Sequence, residues 1–302
     1  MTAITVEIAG LEFSNPTMLA AGMLGMSGVT LRRVAEAGAG AIVTKSLGLH
    51  PRRGYVNPTV VSLKNGLLNA MGLPNPGIDE FGDEMREAHV TVPRIVSIYA
   101  ASPQEFALVA RKACMIGADA LELNVSCPHA ETLGAEIGQD PEMVQKIVKE
   151  TKASVQIPIF VKLTPNVTNI SELAHAAEKA GADAVTAINT VRAMAINAET
   201  AVPILGNRIG GLSGPAIKPI AIRCVFEIFE TVKIPILGCG GVESWSDAIE
   251  FVQAGASAVQ IGTAIAAKGL DVFRHVVEGI ELFLQRKRIG SVNELVGLSH
   301  RS

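Results

Sequence analysis

The chain has 302 residues, a formal net charge of −3 at pH 7, 48% hydrophobic residues and only 4% aromatics. That composition supports a large aliphatic core, and a single domain spanning 1–302 is expected. Lys and Arg are scattered with no basic stripe, which argues against nucleic acid as a partner, and no apolar run reaches the roughly 18 residues of a membrane span.

The segment Met1 to Gly10 carries Glu7 and no basic apolar leader, so no signal peptide is expected. Four cysteines, Cys114, Cys127, Cys224 and Cys239, form no CxxC pair and no metal-ligand spacing. Neither zinc nor an iron–sulfur cluster is expected on this chain, and unpaired thiols suit a reducing cytoplasm.

In chain order, Ile4 to Phe13 alternates apolar and polar residues around Ala9-Gly10, which predicts a hairpin. Apolar runs then predict strands near 17–21, 41–45, 94–98, 120–124, 159–163, 184–188, 235–238 and 258–262. Helical patterns separate most of them, at 102–116, 141–151, 170–180, 215–231 and 246–254. One repeat announces the even-numbered strands: Ala37-Gly38-Ala39-Gly40-Ala41, Ile116-Gly117-Ala118-Asp119-Ala120, Ala180-Gly181-Ala182-Asp183-Ala184 and Ala254-Gly255-Ala256-Ser257-Ala258. Its glycine suits the left-handed position that ends a helix. A second pattern announces odd-numbered strands: Val92-Pro93-Arg94, Ile157-Pro158-Ile159 and Ile234-Pro235-Ile236, because proline is tolerated at a strand's first residue. Eight strands alternating with helices predict a parallel sheet closed into a (β/α)8 barrel. The alternative, an open doubly wound sheet, lacks its G-x-G-x-x-G fingerprint after the first strand. The hairpin is then expected to plug the barrel's N-terminal end. Residues 46–78 are too long for a plain connection and are expected to cover the active face.

Chemistry in such barrels sits at the C-terminal ends of the strands. There the chain places Ala21-Gly22, Lys45-Ser46, Ser97, Asn124, Lys162 with Thr164, Asn189-Thr190, Gly240-Gly241 and Gly262-Thr263. Each alone is as well explained as a loop cap; the convergence of the set is not. Lys162 lies inside the apolar strand Phe160-Val161-Lys162-Leu163. A buried lysine needs a partner or loses its proton. An anionic ligand in the barrel mouth is the expected partner, with an internal carboxylate as the alternative. Gly210-Gly211-Leu212-Ser213-Gly214-Pro215, read as opening a helix, joins Gly238-Cys239-Gly240-Gly241 and Gly262-Thr263 as an expected phosphate cradle. Cys127, in Asn124-Val125-Ser126-Cys127-Pro128, is the thiol placed just past the rim. Cys114 and Cys224 fall in helical patterns and are expected to be buried and inert; Cys239 is ambiguous.

These motifs resemble the class 1 dihydroorotate dehydrogenases along nearly the whole chain. The resemblance is carried by Thr44-Lys45-Ser46, Asn69 to Gly77, Asn124 to Pro128, Val161-Lys162-Leu163, Ile188-Asn189-Thr190, Gly211 to Pro215, Gly240-Gly241 and Ile261-Gly262-Thr263. Cysteine at 127 is similar to the soluble class, and Asn189 to Ile196 is most similar to subclass 1B. The resemblance implies FMN as cofactor and oxidation of (S)-dihydroorotate to orotate in pyrimidine biosynthesis. Cys127 would take the C5 proton while C6 gives hydride to flavin N5. Lys45 would pair with the substrate carboxylate. Asn69, Asn124, Asn189 and Thr190 would read the ring, and Ala70, Met71, Gly72 and Leu73 would approach it. Lys162 would face flavin N1. Ala21, Ser46, Ser97 and Ile188, with Lys45 and Asn124, would contact the flavin. Gly214, Gly240, Gly241, Gly262 and Thr263 would hold its phosphate, and loop 129–140, with Gly134 and Gly138, would act as a lid.

Subclass 1B further implies a homodimer joined in a heterotetramer to a subunit carrying FAD and an iron–sulfur cluster, with electrons passed to NAD+. Subclass 1A would use fumarate instead. The chain departs from the family at Ala21 (often serine), Ser97 (often asparagine) and His129 (commonly asparagine). Competing readings are a flavin-free barrel lyase or isomerase holding a phosphorylated substrate, a cysteine-dependent relative of IMP dehydrogenase using NAD, and a non-catalytic subunit.

Overall fold

The computed structural model describes residues 3–125 and 137–301. Strands β1 (Val6–Ile8) and β2 (Leu11–Phe13) form the antiparallel hairpin. Its two turn residues, Ala9 and Gly10, both take positive φ, 53° and 80°, as a two-residue hairpin turn of matching twist requires. The barrel strands are β3 (Thr17–Leu19), β4 (Ile42–Val43), β7 (Arg94–Ile98), β8 (Ala120–Asn124), β9 (Ile159–Leu163), β10 (Ala184–Ala187), β15 (Ile236–Cys239) and β16 (Ala258–Ile261). They lie in the order β3-β16-β15-β10-β9-β8-β7-β4. A parallel bridge between Met18 and Ala41, with Leu19 N donating to Ala41 O at 3.0 Å, joins the two ends.

The strands are buried on both faces, β9 along its whole length, which is why they read as continuous apolar runs rather than alternating ones. Helices α1 (Gly28–Glu36), α2 (Gly82–Glu87), α3 (Pro103–Met115), α4 (Pro141–Ser154), α5 (Ile170–Lys179), α6 (Lys218–Phe229), α7 (Trp245–Ala254) and α9 (Asp271–Lys287) lie between successive barrel strands or after the last, while α8 (Ala264–Lys268) is a short addition. Starts are set by side chains: Ser102, Asp140, Asn169 and Ser244 each accept a bond from a first-turn N–H, satisfying donors that the helix itself cannot. Ends are set by the repeat, whose glycines at 38, 117, 181 and 255 all take positive φ.

The repeat's aspartates have a further role that composition did not reveal. Asp119 accepts from Arg94 N at 2.8 Å, and Asp183 accepts from Ile159 N at 2.8 Å. Each carboxylate thus caps the start of the neighbouring odd-numbered strand, next to the proline that breaks the ladder there. Arg94 and Lys152 close the two pairs at 3.0 and 2.5 Å.

A second sheet covers the C-terminal mouth. It runs β11 (Val191–Met194), β14 (Ile209–Ser213), β6 (Gly66–Asn69), β5 (Val60–Leu63), all antiparallel. The long segment 46–78 therefore does build the active face, but as a hairpin completed by strands from beyond β10. This corrects one expectation. Gly210 and Gly211 do not open a helix; they sit in β14, where Gly210 packs so close to Asn69 O that a Cβ would lie 2.4 Å away. Only Gly214 precedes the turn Pro215–Ile217, a 3-10 helix from which α6 continues.

Candidate functional site

A cavity of about 320 Å³ opens at the C-terminal ends of the barrel strands, within the usual size of small-molecule sites. Its inner wall is polar because side chains two apart on a strand share a face. Glu122 and Asn124 on β8 both point inward, joined by Lys162 on β9, Thr186 on β10 and Gln260 on β16. Lys162 Nζ donates to Gln260 Oε1 at 2.6 Å, Gln260 Nε2 donates to Glu122 Oε2 at 2.6 Å, and Thr186 Oγ1 donates to the same oxygen at 3.0 Å. All four are buried. Burial would pull the Lys162 ammonium below its ordinary range, but Cys239 and Glu122 beside it hold it above.

This network gives Lys162 a partner inside the protein, the alternative to a ligand at the barrel mouth. That partner is Gln260, backed by Glu122, which sits mid-strand. Neither was singled out from the sequence. The signal was present: Glu122 and Gln260 are polar residues in apolar strands, as Lys162 is.

A second chain of bonds links the rim. Asn124 Nδ2 donates to Ser46 Oγ at 3.0 Å, and Ser46 Oγ lies 2.9 Å from Ser97 Oγ. Asn189 Oδ1 accepts from Thr190 N at 2.8 Å, and Asn69 Nδ2 donates to Gly211 O at 3.2 Å. These carboxamides are thereby oriented toward the cavity that all of them line.

The turn Met71-Gly72-Leu73 also lines the cavity, with Gly72 and Leu73 both at positive φ, 73° and 56°. A left-handed leucine is uncommon, and here Asn75 clasps it. Asn75 Nδ2 donates to Leu73 O and to Tyr99 Oη, each at 2.9 Å, while Oδ1 accepts from Gly77 N at 2.9 Å and Gly48 N at 3.2 Å. Asn75 organises the loop from behind, a role its place in a recognised motif did not disclose.

Opposite the polar rim, glycines from three segments meet. At Gly241, φ is +76° and a Cβ would lie 2.8 Å from Gly214 O; at Gly214, φ is +94° and a Cβ would lie 2.9 Å from Gly66 Cα. Thr263 Oγ1 donates to Ser213 Oγ at 2.8 Å beside them. A Cβ at either glycine would collide with the neighbouring chain, so the three segments can pack this closely only without side chains there, which leaves main chain to line this part of the cavity and suits a group read by main-chain N–H, such as a phosphate.

Of the residues expected at the site, Ala21, Lys45, Ser46, Asn69, Met71, Gly72, Leu73, Asn124, Lys162, Ile188, Asn189, Thr190, Gly214, Gly240, Gly241, Gly262 and Thr263 line this one cavity. Two do not. Ser97 is buried behind Ser46 and bonded to it, and Ala70 turns away to pack with Leu68 and Leu205. Cys127, His129 and Gly134 lie outside the described residues, as does most of the expected lid. Cys239 and Glu243 line the cavity as well. Cys224 is buried, and burial pushes its thiol up to about 11; Cys114 is only half-buried, with its thiol also raised by burial. Among the described residues no cluster of His, Cys, Asp and Glu is arranged for a metal, and no helix is long and apolar enough to cross a membrane.

Comparison with known proteins adds three findings. The chain matches the family model described as dihydroorotate dehydrogenase over residues 3–284. It is 52% identical over 299 residues to the dihydroorotate dehydrogenase B (NAD(+)), catalytic subunit, of Methanocella arvoryzae, covering 99% of this chain and 98% of that one. It is 51% identical over 296 residues to the protein of the same description from Pyrococcus abyssi, covering 98% and 99% of the two. In fold it is similar to the Eimeria tenella DHODH solved with ferulenol, at a TM-score of 0.87 over 99% of this chain and 89% of the other, with 22% identity.

Proposed function

The chain belongs to the dihydroorotate dehydrogenase family, and on that premise we propose that it oxidises (S)-dihydroorotate to orotate in pyrimidine biosynthesis, as the single-domain catalytic subunit of an NAD+-linked enzyme. The observation that carries this reading is one cavity with two kinds of wall: carboxamides, Lys45 and buried Lys162 make the first, and a glycine cradle makes the second. The first wall suits a small ring of alternating C=O and N–H groups, for which amides serve as both donor and acceptor. The second suits a phosphorylated cofactor.

The fit of FMN rests on the cradle. Gly214 and Gly241 pack their segments closer than a Cβ would allow, and Gly240, Gly262 and Thr263 line the cavity with them beside the loops after β15 and β16, where phosphates commonly bind in these barrels. Bound FMN would supply the acceptor for the hydride leaving C6 of the substrate. Lys162 would hold a positive charge on the flavin side of the cavity, and Ala21, Ser46 and Ile188 would bound the ring. Ser97 would act from behind Ser46.

Lys45 would pair with the substrate carboxylate. Asn69, Asn124, Asn189 and Thr190 would fix the ring's edge, and the Met71-Gly72-Leu73 turn would close over it through its backbone, with Ala70 anchoring that turn from the opposite side. Cys127, three residues beyond Asn124, would take the C5 proton on its Sγ as the thiolate, because a positioned base is needed where the ring carbon is only weakly acidic. The loop 129–140 would shield that proton transfer from water.

The names of the relatives support a partner that passes electrons onward to NAD+. We assign FAD and an iron–sulfur cluster to that partner, in a heterotetramer built on a homodimer of this chain, in the cytoplasm. The absence of metal-ligand cysteine spacing in this sequence is in keeping with that division.

The test is the visible spectrum of the purified protein before and after anaerobic addition of dihydroorotate. A yellow protein that bleaches is expected. A colourless protein that takes up no added FMN overturns the redox reading in favour of a lyase acting on a phosphorylated substrate, and a yellow protein that dihydroorotate does not bleach overturns the substrate.

A further inference from the structure

We infer that Glu122 is a positioning residue for this site: acting through Gln260, it keeps Lys162 charged and fixed in direction from inside the barrel, whether or not a ligand is bound. This rests on the proposed function only for what Lys162 does next; the relay itself is a property of the folded chain.

Three observations carry it. The first is the unbroken path Lys162 Nζ to Gln260 Oε1 to Glu122 Oε2, with 2.6 Å at each step. Because a carboxylate can only accept, Glu122 decides which end of the Gln260 amide faces it, and so turns the amide oxygen toward Lys162. The second is burial: Glu122 is 0% and Gln260 1% exposed, where an unpaired charge is costly. The third is that Glu122 Oε1 has no hydrogen-bond partner among the described residues. A carboxylate kept in the interior with one oxygen unsatisfied is poorly explained as a device for stability alone; it is explained by the charge it supplies to the cavity it lines.

The other groups around Lys162 do not replace it. Cys239 on β15 faces the ammonium too and helps to hold it, but its contact is with Lys162 itself and not with the Gln260 amide that Glu122 turns. Thr186 is neutral and donates to Glu122. Lys45 and Glu243 line the same cavity; Lys45 is of like charge and disfavours the protonated form of Lys162. Without Glu122 the burial of Lys162 is less fully compensated, and the ammonium gives up its proton at lower pH.

The experiment follows the titration of Lys162 by NMR in 13C-lysine-labelled, FMN-free protein, with Lys162→Met assigning the signal. In the unsubstituted protein Lys162 is expected to titrate no lower than an ordinary lysine. In Glu122→Gln its midpoint is expected to fall by at least about one unit, a tenfold loss of proton affinity. In the FMN-loaded protein, Glu122→Gln is expected to lower the ratio of reduced to oxidised flavin against a reference dye at pH 9 and to recover it at pH 6. In a Lys162→Met background the same substitution is expected to change neither.

An unmoved midpoint in Glu122→Gln, or an equal flavin effect with and without Lys162, overturns the inference. Should Glu122→Gln fail to fold, the unsubstituted protein decides: a Lys162 midpoint below the ordinary lysine value, the direction burial alone would give, overturns it, and a midpoint at or above that value supports it. A protein that binds no FMN refutes the proposed function and leaves the NMR result standing on its own.

Discussion

Replacing Asn75 with alanine isolates the contribution of a residue that touches the substrate loop only from behind. Asn75 is 6% exposed and makes four hydrogen bonds, to Leu73 O, Tyr99 Oη, Gly77 N and Gly48 N, at 2.9 to 3.2 Å. At about 1 kcal/mol net per bond, the loss sums to about 4 kcal/mol, and water entering the space reduces it to about 2–4 kcal/mol. The cost falls on a loop that holds Gly72 and Leu73 at positive φ. The loop is therefore expected to loosen before the barrel does. KM for dihydroorotate should rise at least tenfold, the equivalent of about 1.4 kcal/mol, while the FMN dissociation constant stays within about twofold. Urea unfolding and steady-state kinetics on the same preparation measure both. An unchanged KM together with a stability loss under about 1 kcal/mol would refute the view that Asn75 clasps the loop.

Cys127→Ala is expected to leave FMN bound but slow flavin reduction about 10²–10⁴-fold, the usual worth of a positioned base; stopped-flow reduction under anaerobic conditions measures it, and an unchanged rate removes Cys127 from the chemistry. Gly241→Ala is expected to abolish FMN retention on gel filtration, because its Cβ would lie 2.8 Å from Gly214 O at a φ of +76°; full retention would mean that the cradle holds nothing. Asp247 tests the support beneath that cradle. Burial alone would raise its pKa, but Lys218 at 2.7 Å and the Ser244 hydroxyl hold the carboxyl below its ordinary value. Its contribution to stability is therefore complete above the unfolded value of about 3.9 and is lost as pH falls through the folded one. Asp247→Asn is expected to be less stable than the parent at pH 7 and to lose less on acidification below pH 4, by urea midpoints at each pH.

Much of this protein could be read without its coordinates because its signals are local. The strands at 94–98, 120–124 and 159–163 are announced by proline or glycine on one side and a continuous apolar run between. The helix that starts at Ser102 carries its own cap. A repeat of one turn chemistry counts out the barrel, and the barrel dictates which strand ends converge, which brings Lys45, Asn124, Lys162 and Asn189 to one mouth. What the sequence left open depends on partners far along the chain. Gly210 and Gly211 look like a helix opening until β11 pairs with both and β6, some 140 residues earlier in the chain, pairs with Gly211. Ser97 was placed on the wall, but the 2.9 Å bond to Ser46 puts it one layer back. Glu122 passed as one more position in an apolar strand; only closure of the barrel carries Gln260 from 138 residues away to within 2.6 Å of it. Hydrophobic periodicity and turn chemistry are properties of neighbours in sequence, and they determined the fold and the mouth. Which buried polar groups satisfy one another is a property of neighbours in space, and that was decided by the tertiary structure alone.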